Sequence, residues 1–404
     1  MANAGSVQKE FKFHPVSHDE LSKIIDSLSD KKTGMDGISS KEHIIDPLIH
    51  LINASLEQGV FPDSLKERRI LPIFKIGDRE TTENYRPISI LNVISKIFEK
   101  VVLNRLLSHL EQINFICDEQ HGFQKGKSTK SAIVSLVENL IDVIDSGDKD
   151  VAIFLDSSKA FDCVNHGTLL KILESVGVKG FVELKWFKSY LIGRKQCVEL
   201  TTVVGSNVIK PKSDKLEVLA GVPQGSILGP FFLLYVDIHF IRLYTLYTLY
   251  TYTLYPLVIC VYPLFLLYVD KLPKELNNGE AFLFADDTSL MFNNPVLDNL
   301  EIDAHVGVQS IVKFFNHLQL TINSRKCQYL QFKSKYNSNE DRTINVFLND
   351  KQLHQEENVA FLGVLLDRQL SWNTYIEKIC NKASSGVFYY DNSIKSYFLQ
   401  LDMN

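Results

Sequence analysis

Two adjacent aspartates, Asp286 and Asp287, stand between two short apolar runs, and this pattern constrains the fold more than any other stretch. The runs, residues 281–284 and 289–292, predict two strands joined by a tight turn with the acids at its tip. Adjacent carboxylates repel each other, so holding them together is unfavourable unless a cation shares them. A metal site is one interpretation of the pair. An ordinary solvated turn, where aspartates are common, is the other.

A third acid follows another apolar run. Residues 151–155 are all apolar and Asp156 comes directly after them, which predicts a buried strand that ends in a carboxylate. Three carboxylates on neighbouring strands could hold two Mg²⁺ ions, which prefer oxygen ligands and support in-line phosphoryl transfer. The alternative is that Asp156 caps the N-terminus of a following helix.

Composition restricts the function classes only loosely. A net charge of −5 and a pI near 6.1 are not typical of a nucleic-acid-binding protein, although residues 66–130 carry 12 Lys and Arg against 8 Asp and Glu. The six cysteines show no C-x-x-C spacing, which argues against a disulfide framework and a zinc knuckle and predicts a reducing compartment.

Local patterns predict several further elements. Ser17 and Glu20 have the spacing of a capping box at the start of a helix. Residues 70–75 predict an edge strand because they contain Pro72, and residues 359–366 predict one strand. A long amphipathic helix is indicated by apolar residues at helical spacing, namely Leu300, Ala304, Val308, Ile311, Phe315 and Leu318.

A series of short motifs runs along the chain in a fixed order. They are Gly34-x-Asp36-Gly37-Ile38, Tyr85-Arg86-Pro87-Ile88-Ser89, Gln120-x-Gly122-Phe123, residues 153–162, residues 221–230, residues 284–287, Leu320-x-x-Asn323-x-x-Lys326 and Phe361-Leu362-Gly363. Each is weak alone, but eight in this order resemble the reverse transcriptases, in particular those of non-LTR retrotransposons of the jockey type. The resemblance extends from about residue 31 to residue 372.

The resemblance implies an α+β, right-hand polymerase fold with fingers and palm and a truncated thumb. Residues 1–60 would form an N-terminal extension and the start of the fingers, and residues 61–150 the fingers. Residues 151–335 would form the palm, and residues 336–404 the end of the palm and the truncated thumb.

The implied activity is RNA-directed DNA synthesis, with an RNA template, a DNA primer and deoxynucleoside triphosphates as partners. The family uses two Mg²⁺ ions, with Mn²⁺ as the alternative. By resemblance, Asp156, Asp286 and Asp287 are the catalytic, metal-binding carboxylates, and the backbone carbonyl of Ser157 lies near the metal.

The resemblance also assigns residues that contact the substrates. Phe161 would exclude a ribose 2′-hydroxyl, while Gln224 and Gly225 would pack on the incoming nucleotide. Lys75 and Arg86 would hold the triphosphate, since cationic side chains suit phosphate. The resemblance gives roles to lysines as well. Lys326 would protonate the leaving pyrophosphate. Template phosphates would be contacted by Lys125, Lys127 and Lys130.

Each of these residues also has an ordinary structural interpretation. Phe161 could be a core aromatic and the Gln224–Gly225 pair a simple turn, while the lysines and Arg86 could be solvated surface charges. The whole chain could likewise be a catalytically inactive retrotransposon remnant.

One segment departs from the family pattern. Residues 243–269 contain no charged residue, and the sequence of residues 230–237 recurs almost unchanged at residues 263–270. We interpret residues 238–263 as a low-complexity insertion. Because 27 uncharged residues could also span a bilayer, a membrane-associated protein anchored by residues 243–269 is the alternative.

Overall fold

The computed structural model describes residues 9–29, 42–75, 77–122, 124, 126–157, 162–204, 207–223, 226–228, 267, 269–276, 278–333 and 342–384. Helices and mixed sheets alternate along these residues, so the predicted α+β class is confirmed. The helices are α1 (His18–Ser29), α2 (Glu42–Gln58), α3 (Val93–Gln112), α4 (Thr129–Ser146), α5 (His166–Ser175), α6 (Phe181–Leu191) and α7 (Leu297–His317). Residues 373–384 are helical as well.

The strands form two larger sheets and three separate two-stranded ones. They are β1 (Glu67–Phe74), β2 (Tyr85–Ile90), β3 (Lys149–Leu155), β4 (Lys195–Val198), β5 (Thr202–Val204), β6 (Asn207–Ile209), β7 (Leu216–Glu217), β8 (Glu280–Phe284), β9 (Asp287–Asn294), β10 (Gln328–Gln331), β11 (Phe347–Leu348), β12 (Lys351–Gln352), β13 (His354–Gln355), β14 (Asn358–Phe361) and β15 (Val364–Asp367). Residues 359–366, expected as one strand, are instead a hairpin of β14 and β15 that turns at Leu362 and Gly363, both at positive φ.

The five-stranded sheet, in the order β13-β10-β3-β9-β8, carries the three acids. Its central strand β3 lies between two cores: Ala152 belongs to a cluster with α4, while Val151 and Ile153 belong to the main cluster with α7. Successive side chains of a strand point to opposite faces, so a strand covered on both faces must be apolar throughout. The buried strand before Asp156 and the apolar stripe of α7 are confirmed.

The second sheet, in the order β2-β1-β4-β7, corrects one expectation. Strand β1 pairs with β2 on one side and with β4 on the other, so the prediction of an edge strand from Pro72 was wrong. Pairing with β4 ends at Ile70, before the proline is reached. On the β2 side Pro72 lies opposite Pro87, and neither residue has an N–H group that could be left unpaired.

The insertion and the membrane alternative cannot be placed in this fold. Residues 238–263 lie outside the described residues, as do residues 243–266. Within the part of the chain that the structure describes, no helix is long and apolar enough to cross a membrane. Just after the insertion, Leu267 and Val269 of the second copy of the repeated motif are buried in the main core.

Asp150, in β3, is a buried carboxylate outside the site. It is 1% exposed, and its Oδ2 has no hydrogen-bond partner among the described residues. Burial raises the pKa of Asp150 from 3.8 to about 7, against smaller opposing effects of its own backbone amide and that of Phe332. The folded protein therefore keeps Asp150 protonated where the unfolded chain ionises it. Its contribution to stability is full below pH 3.8 and is lost as the pH rises towards 7.

We therefore expect Asp150→Asn, which is neutral at every pH, to remove this loss. The gain in unfolding free energy should reach at most about 4 kcal/mol above about pH 7 and vanish near about pH 4. Urea unfolding at both pH values measures it. Asp145→Asn, an exposed neighbour in α4, is the control. Identical pH dependence of the two variants would contradict the expectation.

Candidate active site at the tip of the β8–β9 hairpin

The hairpin predicted from the sequence is present. Phe284 at the end of β8 pairs with Asp287 at the start of β9, so Ala285 and Asp286 form a two-residue turn. Ala285 has a φ of 58°, a conformation uncommon for a residue with a Cβ atom. Leu155 pairs with Thr288, so Asp156 leaves β3 beside the point where Asp287 enters β9. The three acids thus lie at the same end of three adjacent strands.

The three carboxylates influence one another electrostatically. Burial, then the charge of Asp287 and that of Asp156, raise the pKa of Asp286 to about 7, while Arg86 acts in the opposite direction. Burial and the charge of Asp156 raise the pKa of Asp287 to about 6, and Lys75 opposes them. The side chain of Asp287 nevertheless reaches solvent, and that of Asp286 is half-buried. A concentration of negative charge is therefore accessible from outside.

Two cationic side chains, Lys75 and Arg86, act electrostatically on the acids. Lys75 directly follows β1, and Arg86 lies in β2 across from Ile73, so both come from the turn end of the β1–β2 hairpin. Their effects on the pKa values of Asp287 and Asp286 place both cations within electrostatic reach of the acids. The structure thus brings the two residues expected to hold a triphosphate to the acidic end of the other sheet.

Asp156 is held by the segment that follows α7. Its backbone carbonyl accepts a hydrogen bond from the Asn323 amide at 2.9 Å, and its amide donates to Cys327 Sγ at 3.4 Å. Lys326 Nζ lies 3.5 Å from Asp156 Oδ2, and both side chains are accessible. Ser157, expected near the metal, forms an isolated bridge with Ile322. The motif containing Asn323 and Lys326 therefore supports the β3 end of the site.

The donor set suits a hard divalent cation, because carboxylate oxygens and electrostatic repulsion are both present. Asp156 Oδ2 has Lys326 Nζ as an ion-pair partner at 3.5 Å. In the described residues, no group of three or more His, Cys, Asp or Glu side chains is close enough together to hold a metal ion. The shared metal site is therefore still a prediction, supported by the kind and the placement of the ligands.

Several expected site residues cannot be placed. Phe161, Gln224, Gly225 and Lys125 lie outside the described residues. Lys127 is described, and it donates to the Asp118 carbonyl and lies 3.9 Å from Asp118 Oδ1. It thus has a partner within its own loop.

A cavity of about 280 Å³ lies elsewhere, at the opposite end of β1 from Lys75. Its lining includes Arg68, Lys195 and Gln196 but none of the three acids.

Residues 75–255 match the family model described as reverse transcriptase (RNA-dependent DNA polymerase). The match ends within the uncharged segment, before Asp286.

Two curated relatives extend over more of the chain. It is 30% identical over 339 residues to the probable RNA-directed DNA polymerase from transposon X-element of Drosophila melanogaster, which covers 81% of this chain and 32% of the relative. It is 27% identical over 384 residues to the RNA-directed DNA polymerase from mobile element jockey of Drosophila funebris, which covers 90% of this chain and 36% of the relative. The chain therefore spans about a third of the length of these relatives.

Among solved structures, the chain is similar to apo telomerase from Candida tropicalis truncated from its C-terminal domain. The TM-score is 0.43 at 12% identity, over 77% of this chain and 55% of that one.

The match of residues 75–255 makes this part of the chain similar to the reverse transcriptase class, and the mixed helix-and-sheet architecture fits a polymerase fold. The curated relatives of the chain narrow the assignment to the jockey-like reverse transcriptases of non-LTR retrotransposons, which confirms the resemblance seen in the sequence.

Two supporting residues were missed by sequence reasoning. Gln120 contacts the hairpin turn and Asn323 holds the Asp156 backbone. Both lie in motifs that the sequence displays, but the motifs alone do not say what those side chains or amides touch.

Proposed function

We propose that this chain catalyses RNA-directed DNA synthesis at the tip of the β8–β9 hairpin. The reaction is attack of a primer 3′-hydroxyl on the α-phosphate of a deoxynucleoside triphosphate, which releases pyrophosphate. The observation that carries the proposal is that Asp156, Asp286 and Asp287 lie at the same end of adjacent strands, with Lys75 and Arg86 of the other sheet within electrostatic reach.

Asp156, Asp286 and Asp287 would hold the divalent ions. Bound Mg²⁺ would neutralise charge on the phosphate oxygens and promote the attack of the hydroxyl. The repulsion between the carboxylates favours this occupancy, because a cation shared by them reduces it.

The cations of this chain would position the triphosphate. Lys75 and Arg86 approach the acids from the β1–β2 hairpin and present donors suited to phosphate oxygens. Lys326, next to Asp156 at 3.5 Å, would donate a proton to the leaving pyrophosphate. Phe161, Gln224 and Gly225 would complete the nucleotide site as the family resemblance implies.

The division into domains follows from the same assignment. In this proposal the five-stranded sheet with α4 and α7 is the core of the palm (residues 151–335), and the β1–β2 sheet belongs to the fingers (residues 61–150). The assignment of residues 336–404 to the end of the palm and to the thumb stays a prediction.

Primer extension tests the function. A primer annealed to an RNA template is incubated with deoxynucleoside triphosphates, Mg²⁺ and either the wild type, Asp156→Asn or Asp142→Asn. Asp142 is an exposed acid of α4, so its substitution is the matched control. We expect extension by the wild type and by Asp142→Asn, and a loss of about 10³-fold in Asp156→Asn. Equal incorporation by all three would favour the inactive remnant instead.

A further inference from the structure

The outer edge of strand β8 is covered by a short loop segment, residues 119–122. The Leu283 amide donates to the Glu119 carbonyl at 3.0 Å, and the His121 amide donates to the Leu283 carbonyl at 2.7 Å. Gln120 and Leu283 therefore form a parallel bridge. The segment extends the sheet by one short strand, directly beside the hairpin that carries Asp286.

Gln120 turns its side chain towards the hairpin tip. It is 1% exposed, and its Oε1 accepts hydrogen bonds from the Gly122 amide at 2.7 Å and the Ala285 amide at 3.2 Å. Because both partners are N–H donors, the oxygen of the side-chain amide must face them. Ala285 has positive φ, and such a backbone persists only where its surroundings hold it.

Gly122 allows this close approach. A Cβ atom there would lie 2.4 Å from the Ala285 nitrogen and 3.1 Å from the Phe284 carbonyl carbon. Backbone atoms cannot move aside as a flexible side chain can. Gln120 and Gly122 thus both contact the same turn. Gln120 accepts a hydrogen bond from it, and Gly122 can lie against it because it has no side chain.

The segment itself is anchored away from the hairpin. His121 Nδ1 lies 3.0 Å from Ser131 Oγ, and Ser131 takes part in the capping box at the start of α4. Gln124 Nε2 donates to the carbonyls of Cys117 at 3.0 Å and Gln120 at 2.6 Å. The support behind Gln120 is therefore fixed to a helix that packs on the same sheet.

We infer that Gln120 is a positioning residue: by holding the Ala285 amide, it sets the direction in which the adjacent Asp286 presents its carboxylate. Its catalytic consequence rests on the proposed function, whereas its effect on the hairpin does not. Groups that orient the ligands of a metal typically change affinity or activity by about 10- to 100-fold when removed.

The test compares Gln120→Met with Gln112→Met in the full chain. Methionine has a similar length but cannot accept the two amide hydrogen bonds of Gln120. In the control it removes the exposed hydrogen bond from Gln112 Nε2 to Ser108 Oγ within α3, which lies outside both residues 119–122 and the hairpin. Two quantities are measured: hydrogen–deuterium exchange of the peptide covering residues 281–290, and steady-state primer extension as a function of Mg²⁺ concentration.

For Gln120→Met we expect exchange at the hairpin turn to be about 5- to 10-fold faster, which corresponds to the loss of one hydrogen bond. We expect kcat to fall about 10- to 100-fold, the half-saturating Mg²⁺ concentration to rise, and KM for the nucleotide to change less than kcat. Gln112→Met should leave the hairpin exchange and the Mg²⁺ dependence as in the wild type.

Unchanged exchange of the hairpin peptide in Gln120→Met would overturn the inference, as would a Mg²⁺ dependence equal to that of Gln112→Met in an active protein. If Gln120→Met fails to fold, Gly122→Ala takes its place, since its new Cβ atom displaces the same turn. If the wild type incorporates no nucleotide, the proposed function fails, and the exchange measurement still decides whether Gln120 holds the turn.

Discussion

Replacement of Asp286 by Asn is expected to reduce primer extension by at least about 10³-fold, because under the proposed function a metal ligand would lose its charge. Asparagine has nearly the same volume, so the packing of the turn is kept. Asp286 lies next to Asp287 and within electrostatic reach of Asp156. The three carboxylates together concentrate negative charge at the turn. Removing one charge weakens the attraction for a divalent ion and at the same time reduces repulsion within the fold.

The same variant is therefore expected to be at least as thermally stable as the wild type. Loss of activity without loss of Tm is the pattern of a site in which stability is given up for function. Single-nucleotide incorporation and thermal unfolding, measured on one preparation, provide both quantities. Asp142→Asn, at an exposed position of α4, is the control for charge. A loss of activity that follows a lowered Tm would mean that Asp286 acts on folding rather than on the reaction.

The second large effect, on stability, is expected at the ion pair that joins α1 to α3. Arg105 has a side chain only 2% exposed and forms an ion pair with Glu20 in α1, with Nη1 2.9 Å from Oε1 and Nη2 3.2 Å from Oε2. The guanidinium also donates to the carbonyls of His14, Pro15 and Val101. We expect Glu20→Gln to lower the free energy of unfolding by about 3 kcal/mol, because it leaves a buried cation uncompensated.

This value is at the lower end of the range for broken buried pairs, since Glu20 itself is 27% exposed. Asp19→Asn is the matched control, an exposed acid in the same first turn of α1. Urea unfolding measures both variants. The double variant Glu20→Gln with Arg105→Met should be more stable than Glu20→Gln alone, because no charge is then buried. A loss in Glu20→Gln no larger than in Asp19→Asn would contradict the role of the pair.

Glu20 also shows where a local pattern stops being informative. The spacing from Ser17 predicts a capping box, and the Glu20 amide does donate to Ser17 Oγ at 3.2 Å. The Glu20 carboxylate, however, binds Arg105, 85 residues away. Local spacing identified the start of the helix, but the stronger charge-assisted contact, with a buried guanidinium, exists only once the chain has folded.

Strand β1 is a second case. Pro72 indicates an edge strand because proline cannot donate to a ladder, yet β1 lies between β2 and β4. The register ends the β4 pairing before Pro72 and places Pro87 opposite it. The proline rule considers only the missing N–H group of one residue. It cannot predict which residue of the neighbouring strand lies opposite, because the register is set by the packing of whole strands.

The pattern of residues was enough to predict the resemblance to reverse transcriptases, the α+β class, the hairpin with Asp286 at its tip and the buried strand that ends at Asp156. The strands follow from periodicity over a few residues, and the resemblance follows from the order of motifs along the chain. The pairing of Lys326 with Asp156 and the support of the Asp286 turn by Gln120 are visible only in the folded structure. Gln120 and Ala285 are 165 residues apart, and their contact exists only because the loop before α4 covers the edge of β8. A contact of that kind depends on how elements stack, which no local pattern encodes.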